Sequence, residues 1–214
     1  HEYRGGAGGD SSASAHPLTF VGDASVSSAE AKFGSSAFAF DGDGDYFTVA
    51  DHADFAYSGA FTIEFFFRYS GAGGDHIFMV KRAAETANNI RLHVSNSNGL
   101  GWLVGGVAVG GAFGWSVLLV QNGLPIPSIN TWHHLAMTWD EATYTLWLDG
   151  TATSVVTNAN APDVTTAPMT WGSGQAPAAG SPLTGYLDEI RISNVARYAS
   201  DFTPATAAFE ADSD

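Results

Sequence analysis

Three aspartates are the residues of this chain whose type and position best fit the binding of a cation. Asp188 lies in residues 185–193, whose alternation predicts a strand, and it shares a face with two isoleucines. An unpaired carboxylate on a buried face is costly. One interpretation is a structural calcium site, with Asp10 and Asp23 from earlier loops as further oxygen ligands. The other is that Asp188 accepts backbone N–H groups and holds a loop against the sheet.

The neighbouring carboxylates of Asp188 and Glu189 do not have the spacing of a glycoside hydrolase. A retaining enzyme needs about 5–5.5 Å between its general acid and its nucleophile. Adjacent residues of a strand point to opposite faces, so this pair does not form such a site within one strand. Glu64 has Thr62 and Phe66, neither of them an acid, as neighbours on its own face. We therefore predict that the chain is not an enzyme.

Two tryptophans, Trp102 and Trp115, are candidates for a platform that binds carbohydrate, because sugar rings stack on exposed aromatic side chains. They lie near the ends of residues 100–120, a stretch that is apolar, rich in glycine and almost uncharged. An exposed apolar surface is also typical of a protein interface, and the same residues suit ordinary core strands. The sequence leaves these three alternatives open.

The histidine spacing does not indicate a transition-metal site. His133 and His134 are adjacent, so on a strand they face opposite ways and do not chelate one ion together. No His-x-His or Glu-x-x-His spacing occurs elsewhere. We therefore expect no such site.

Charge and composition exclude several classes of partner. The 214 residues include 8 basic and 22 acidic side chains, giving a net charge of −14, and no cysteine. So acidic a chain is not attracted to the phosphates of nucleic acid or to anionic membranes, and neither is an expected partner. Without cysteine there is no disulfide and no thiolate metal ligand. No apolar run approaches the ~18 residues of a spanning helix, so we expect no membrane insertion.

The elements that must position these residues are short β-strands. Runs of Val, Ile, Phe, Trp, Tyr and Thr alternate with Gly, Ser, Asn and Asp every few residues, which is typical of an all-β chain. Residues 61–68 alternate cleanly between two faces, and residues 131–157 predict three strands joined by tight turns. The second of these turns, Asp149-Gly150, has the residue types of a type I′ turn.

One domain fits this pattern, because nothing resembling a linker interrupts the strands and each strand must bury one face against an opposite sheet. We predict an N-terminal loop segment at residues 1–16, a sandwich over residues 17–204 and an acidic tail at residues 205–214.

Five blocks of sequence carry a family pattern. They are Phe33-Gly34-Ser35-Ser36-Ala37-Phe38-Ala39-Phe40-Asp41-Gly42 with Asp45-Tyr46, Phe61-Thr62-Ile63-Glu64-Phe65-Phe66, Trp132-His133-His134-Leu135-Ala136, Leu146-Trp147-Leu148-Asp149-Gly150, and Gly185-Tyr186-Leu187-Asp188-Glu189-Ile190-Arg191-Ile192-Ser193. In this order they resemble a laminin-G-like jelly-roll domain of the concanavalin A-like lectin/glucanase superfamily. The resemblance implies an antiparallel two-sheet jelly-roll β-sandwich in one domain, often with calcium at the aspartate that corresponds to Asp188.

The last part of the sequence resembles one particular group within this superfamily. Val195-Ala196-Arg197-Tyr198 with Phe202-Thr203-Pro204 is similar to the variant found in tail-fibre and other virion proteins of bacteriophages. In those relatives an apolar strand precedes the segment that corresponds to Asp10-Ser11-Ser12. This chain starts at His1-Glu2 without that run, so we expect the first strand of the sandwich to be missing.

The resemblance implies a non-catalytic module of a bacteriophage particle, located at the virion surface or outside a cell. It would serve as capsid decoration or as part of a tail fibre, and would contact a host surface glycan or neighbouring virion subunits, as a homo-oligomer in an assembly. Two other functions stay open. One is a carbohydrate-binding module of a secreted bacterial protein, and the other is a purely structural assembly protein.

Overall fold

The computed structural model describes residues 1–4, 9–10, 12, 14–70, 74–84, 87–97, 100–107, 109, 116–120, 127–174 and 180–210. Within these residues the chain forms 16 β-strands, numbered here in chain order, and a 3-10 helix at Ala53–Phe55. The strands make two antiparallel sheets of nine and seven strands.

The nine-stranded sheet combines strands from the beginning, the middle and the end of the chain. Its main path runs, in spatial order, through β14 (Thr151–Thr157), β13 (Thr143–Leu148), β12 (His133–Trp139), β7 (Phe61–Tyr69), β16 (Thr184–Ser193), β1 (Glu2–Arg4) and β2 (Gly9–Asp10). β5 (Ala37–Asp41) pairs with the first half of β16, and β4 (Ser25–Ser27) pairs with β5.

The seven-stranded sheet packs against it. Its order is β11 (Val117–Val120), β10 (Leu100–Val107), β9 (Ala87–Ser97), β8 (His76–Ala84), β15 (Met169–Trp171), β6 (Tyr46–Val49) and β3 (Leu18–Val21). Buried side chains of both sheets form one core cluster. This is the single-domain jelly-roll β-sandwich that the sequence predicts. Of the helices that the structure describes, none is long and apolar enough to cross a membrane.

Strand β7 shows how residue alternation builds the two layers. Its odd-numbered residues from Phe61 to Phe67 belong to the core. Thr62 and Glu64 point to the other face, where they meet residues from the end of the chain. Since successive side chains of a strand alternate between faces, the clean alternation of residues 61–68 predicts this arrangement, and the prediction is confirmed.

The three strands β12, β13 and β14 follow the predicted pattern closely. Asp149 and Gly150, which join β13 to β14, have φ angles of 48° and 82°. Both lie in the left-handed region, as a type I′ turn requires. The strand predicted from Thr151 to Thr157 coincides with β14.

Strand β16 departs from simple alternation at Glu189. Its register against β7 shifts between Asp188 and Arg191, and Glu189 has a φ of 49°. This is a β-bulge, in which one extra residue reverses the alternation beyond it. Leu187 and the two isoleucines after the bulge all pack in the core, so Asp188 lies on the opposite face. The prediction that Asp188 shares the face of the isoleucines is therefore wrong.

The beginning of the chain, predicted to be a loop without the first strand, contains two short strands. β1 pairs with β16, and β2 pairs with β1. The N–H of Ile192 also donates to the His1 carbonyl at 2.8 Å. The loop prediction is wrong at these positions, because Gly and Ser dominate the composition of the segment and hide Tyr3, which is fully buried in the core.

Residues 195–209, here called the C-terminal strap, cross the outer face of the nine-stranded sheet. Phe209, which lies beyond the predicted domain end at residue 204, is buried, so the packed part of the sandwich extends at least that far. The hydrogen bonds that join the strap to the sheet include those of Tyr198 to Glu64 (2.7 Å), Phe202 to Gly150 (2.9 Å) and Phe209 to Glu189 (2.7 Å).

Candidate functional site

The carboxylate of Asp188 is buried and accepts hydrogen bonds from the backbone. Its Oδ2 accepts from the N–H groups of Lys32 (2.9 Å) and Phe33 (3.3 Å), in the loop between β4 and β5. Its Oδ1 accepts from the N–H of Glu189 at 2.9 Å. These contacts are the ones expected of a residue that holds a loop against the sheet. Calcium at this position stays a prediction.

Asp10 and Asp23, the other two predicted calcium ligands, have separate partners. Asp10 accepts from the N–H groups of Ser12 (2.8 Å) and His16 (2.9 Å). The N–H of Asp23 donates to Asp45 at 2.6 Å. Among the described residues, the carboxylates of Asp188, Asp10 and Asp23 do not form a group whose ligand atoms lie within 4.8 Å of one another.

The predicted carbohydrate platform is placed only in part. Trp102 lies in β10, and Trp115 lies outside the described residues, so the platform stays a prediction. Val117 and Leu119 of β11 pack in the core. The core-strand alternative therefore describes β11, the outermost described strand of its sheet. The alternate residues of β11, Leu118 and Val120, are 50% and 37% exposed.

A cleft of about 690 Å³ opens beside β1 and the 3-10 helix. Ligand pockets in proteins typically enclose about 300–1,000 Å³ and combine apolar walls with a few polar groups. This cleft has that mixed character, and we call it the histidine cleft. The side chains that line it include His1, Ser12, Ser14, Asp54, Tyr57, Phe61 and Asn194.

The carboxylate of Asp54, which lines this cleft, is contacted by three imidazoles. The Nε2 atoms of His1 and His16 each lie 3.0 Å from Asp54 Oδ2, and His52 Nδ1 lies 3.1 Å from Oδ1. Phe55, which the 3-10 helix buries in the core, supports two of the rings with centroid distances of 5.3 Å to His1 and 5.0 Å to His16. Pairing of β1 with β16 positions His1, and the loop before β3 positions His16.

Asp10 contacts both His1 and His16 of this cluster. It fixes the loop that carries His16 through the backbone contacts described above, and its Oδ2 lies 3.4 Å from His1 Nδ1. This contact with Asp10 raises the pKa of His1 above its usual value, although burial opposes it. Burial alone would raise the pKa of Asp10, but the hydrogen bonds from His1 and Ser12 hold it well below its usual range. The hydrogen bond with His16 lowers the pKa of Asp54. Two ionised carboxylates therefore face the imidazoles.

No local sequence pattern indicates this cluster, because its members are far apart in the chain. His16 and Asp54 are separated by 38 positions, whereas a search for metal-ligand spacing considers short intervals within one element. The available signal was compositional: three of the seven histidines, His1, His16 and His52, lie in the first quarter of the chain. Only the sandwich topology brings them together.

The carboxylate of Glu64 is fully buried on the other side of the sheet from the core. It accepts hydrogen bonds from Arg191 Nε at 2.8 Å and from the Tyr198 hydroxyl at 2.7 Å, and lies 3.1 Å from His134 Nε2. Burial alone would raise the pKa of Glu64, but these partners outweigh it and lower the pKa. Since the C-terminal strap covers this network, its role in the structure is to hold the strap.

Comparisons with known proteins agree with the architecture. The family model described as "Concanavalin A-like lectin/glucanases superfamily", of laminin-G type, matches residues 41–201. No curated protein sequence matches the chain significantly. Domain 4 of an extracellular GH43 arabinanase from Geobacillus stearothermophilus, solved in complex with arabinotriose, is 16% identical with a TM-score of 0.67, and the alignment covers 91% of each chain.

Two botulinum neurotoxin domains are also similar in structure. The serotype D ligand-binding domain, solved with N-acetylneuraminic acid, is 10% identical with a TM-score of 0.68. The serotype G binding domain is 11% identical with a TM-score of 0.65. Each alignment covers 89% of this chain but only 45% and 46% of the neurotoxin chains, respectively. At these identities the likeness shows the fold. The match over residues 41–201 shows the family: this chain belongs to the laminin-G-type branch of the concanavalin A-like lectin/glucanase superfamily.

Proposed function

We propose that this chain is a non-catalytic glycan-binding module and that the histidine cleft is its sugar site. The observation that carries the proposal is the cleft itself, which places hydroxyl, amide, imidazole and carboxylate groups beside two aromatic side chains. The polar groups of the cleft suit sugars, because sugar hydroxyls require hydrogen-bond partners. Two of the structural neighbours named above were solved with a saccharide bound.

Tyr57 supports a ligand role for the cleft. It has a φ of 47°, in the left-handed region that a bulky side chain rarely adopts, and such strain concentrates at binding sites. Its buried hydroxyl has no hydrogen-bond partner among the residues that the structure describes. An unpaired buried hydroxyl costs about 1–3 kcal/mol. Because this hydroxyl is buried, the strained backbone of Tyr57, and not its hydroxyl, is what supports a ligand role.

The proposed absence of catalysis is supported by the environment of the carboxylates in β7 and β16. Glu64, Asp188 and Glu189 are all buried. Glu64 and Glu189 are hydrogen-bonded to the C-terminal strap, and Asp188 to the loop before β5. A general acid and a nucleophile must both reach the scissile bond, whereas these carboxylates are covered by the protein's own chain.

A glycan array tests the proposal. The wild-type chain is expected to bind a definable set of glycans, and Ser58→Trp, which places a large ring at an exposed position of the cleft lining, should abolish the binding. Ser28→Trp, at another exposed position, is the matched control and should bind as the wild type does. Equal binding by both variants would contradict the cleft as the sugar site. Loss of binding in Trp102→Ala with Trp115→Ala alone would instead support the predicted platform.

We also propose that the module is displayed on a bacteriophage particle, as capsid decoration or in a tail fibre. The support for this is the sequence ending at residues 195–204, which resembles that of virion proteins. Antibodies against the chain should decorate intact particles in immunogold microscopy. Label found only on free protein in the lysate would count against display on the virion.

A carbohydrate-binding module of a secreted bacterial protein is the second candidate. The observation that favours it is the 91% mutual coverage with a domain of an extracellular arabinanase. Titration with arabino-oligosaccharides separates the two functions, since binding to them would favour the secreted module. Binding only to glycans of a bacterial cell surface would favour the virion protein.

Assembly into a homo-oligomer belongs to the virion proposal. We infer that a second copy of the chain covers the exposed side chains of Leu118 and Val120, because β11 ends its sheet in the described part of the chain and an unpaired edge strand favours pairing with another chain. Light scattering of the wild type should show a defined oligomer, and Leu118→Lys should reduce it to monomer. A monomeric wild type would overturn this inference. Of the virion proposal, only assembly with other virion subunits would then remain.

A further inference from the structure

We propose that His1, His16 and Asp54 bind a divalent transition-metal ion, for which zinc is the best match. One ligand atom from each residue lies within 4.8 Å of the other two. Imidazole nitrogen and carboxylate oxygen are donors that zinc prefers in proteins. The site shares His1 and Asp54 with the lining of the histidine cleft, but metal binding is measured without a glycan, so its failure is distinguishable from failure of the glycan proposal.

The distances between the donor atoms fit an ion placed among them. The Nε2 atoms of His1 and His16 each lie 3.0 Å from Asp54 Oδ2. Donors bound at about 2.0–2.2 Å to a tetrahedral ion lie roughly 3.3 Å apart. Binding therefore requires each of these two distances to lengthen by a few tenths of an ångström, and the imidazole donors, which lie within 4.8 Å of each other, to reach a similar spacing. The side chain of Asp54 is 30% exposed, so an ion has a route from solvent.

The surroundings of His1 can accommodate a metal ion at its Nε2. Its Nδ1 lies 2.8 Å from Ser12 Oγ and 3.4 Å from Asp10 Oδ2. When Nδ1 carries the proton toward Asp10, the neutral ring presents the lone pair of Nε2 to the carboxylate of Asp54. Two electron-rich atoms at 3.0 Å repel each other unless a positive charge lies between them. A metal ion supplies that charge, and a second proton on His1 is the alternative.

Asp10 also has the position of a supporting residue in a metal site. Ligating histidines commonly donate their other ring N–H to a carboxylate, which fixes the ring and strengthens the ligand. Asp10 Oδ2 lies 3.4 Å from His1 Nδ1, next to the nearer Ser12 Oγ at 2.8 Å, and Asp10 fixes the loop of His16 through that residue's N–H. Three protein ligands leave a fourth position for water or another oxygen ligand. That position opens on the cleft, because His1 and Asp54 line it.

Calorimetric titration of the metal-stripped, tag-free chain with zinc chloride at pH 7.5 tests the proposal. One zinc ion per chain is expected. His16→Gln and Asp54→Asn should each weaken binding at least about tenfold, and Asp10→Asn should weaken it by about tenfold. His133→Gln is the matched control, because His133 also faces an aspartate, Asp149, at 2.7 Å but without a second imidazole. It should bind zinc as the wild type does.

Two further measurements keep the test decisive if a variant folds poorly. Circular dichroism establishes whether each variant has the wild-type fold. In the wild-type chain, zinc should shift the NMR signals of the His1 and His16 rings while those of His133 and His134 stay in place. Absence of saturable zinc binding, or unchanged affinity in folded His16→Gln, would overturn the proposal. The imidazoles would then only be hydrogen-bonding partners of Asp54.

Discussion

The hydroxyl of Tyr198 donates a 2.7 Å hydrogen bond to the carboxylate of Glu64, across 134 positions of the chain. Through this contact the C-terminal strap is joined to the centre of the nine-stranded sheet. The same carboxylate faces Arg191 of the neighbouring strand. Glu64 therefore links β7, β16 and the strap, and it stays fully buried while doing so.

Glu64→Gln should lower the free energy of unfolding by about 3 kcal/mol, because Arg191 then loses the buried carboxylate that it faces. Urea denaturation measures the change. Glu30→Gln is the control, since Glu30 pairs with Arg68 at 3.4 Å on the surface, and its loss should cost less than about 1 kcal/mol. Similar losses in the two variants would show that the network contributes nothing beyond a surface pair.

His93 should make the fold less stable in mild acid. Burial, aided by the positive charge of Arg91, lowers the pKa of His93 from 6.5 to about 4. The unfolded chain therefore takes up this proton more readily than the folded one. The contribution to stability is complete above pH 6.5 and is lost as the pH falls through about 4, and it amounts to roughly 3 kcal/mol.

His93→Leu removes this titration and should flatten the decrease in unfolding free energy between pH 6.5 and 4. Denaturation curves of both proteins at one-unit intervals provide the comparison. From pH 7 to 9 the two profiles should run parallel, which serves as the internal control. Equal slopes below pH 6.5 would contradict the depressed pKa.

Gly150→Ala should be considerably more destabilising than Gly44→Ala. The two glycines have nearly equal φ angles of 82° and 79°, so each substitution incurs about 1–2 kcal/mol of left-handed strain. A Cβ at position 150 would also overlap the carbonyl oxygen of Phe202, whereas one at position 44 would meet nothing within 4 Å. Thermal melts should show a larger loss for Gly150→Ala, and equal losses would mean that the strap yields freely at Phe202.

Asp188→Asn should lower the melting temperature whether or not calcium is present. It weakens the acceptor that holds the N–H groups of Lys32 and Phe33, and a lost charge-assisted hydrogen bond costs about 1.5–3 kcal/mol. Melting the wild type with calcium chloride or with a chelator separates the two interpretations of Asp188. A stabilisation by calcium that Asp188→Asn abolishes would favour the calcium site.

The parts of the fold that the sequence predicts well are those governed by local rules. The alternation of β7 depends only on which residues are apolar, and the turn at Asp149-Gly150 depends only on which residues tolerate a positive φ. Both are visible in a window of a few residues. The family resemblance then orders the blocks into one jelly roll, which the match over residues 41–201 confirms.

The parts that it does not predict depend on contacts between distant residues. The carboxylate of Glu189, at the bulge, accepts a hydrogen bond from the N–H of Phe209, twenty positions away in the strap. No local rule predicts an extra residue at this position of β16. Among the described residues of the first sixteen, Tyr3 is the only one in the hydrophobic core. One buried ring is too weak a pattern to predict a strand. The cluster of His1, His16 and Asp54 exists only because the start of β1, the loop before β3 and the 3-10 helix come together in the fold.

The C-terminal strap has a consequence for solubility. It covers Glu64 and packs Phe202 against Trp147 and Phe209 against Phe66, with ring centroids 5.6 and 6.1 Å apart. A chain cut before residue 195 would leave Trp147 and Phe66 facing water on the outer face of the sheet, and exposed apolar patches of this kind make proteins aggregate. The strap thus acts as a built-in shield, and shortened versions of the protein should retain it through Phe209.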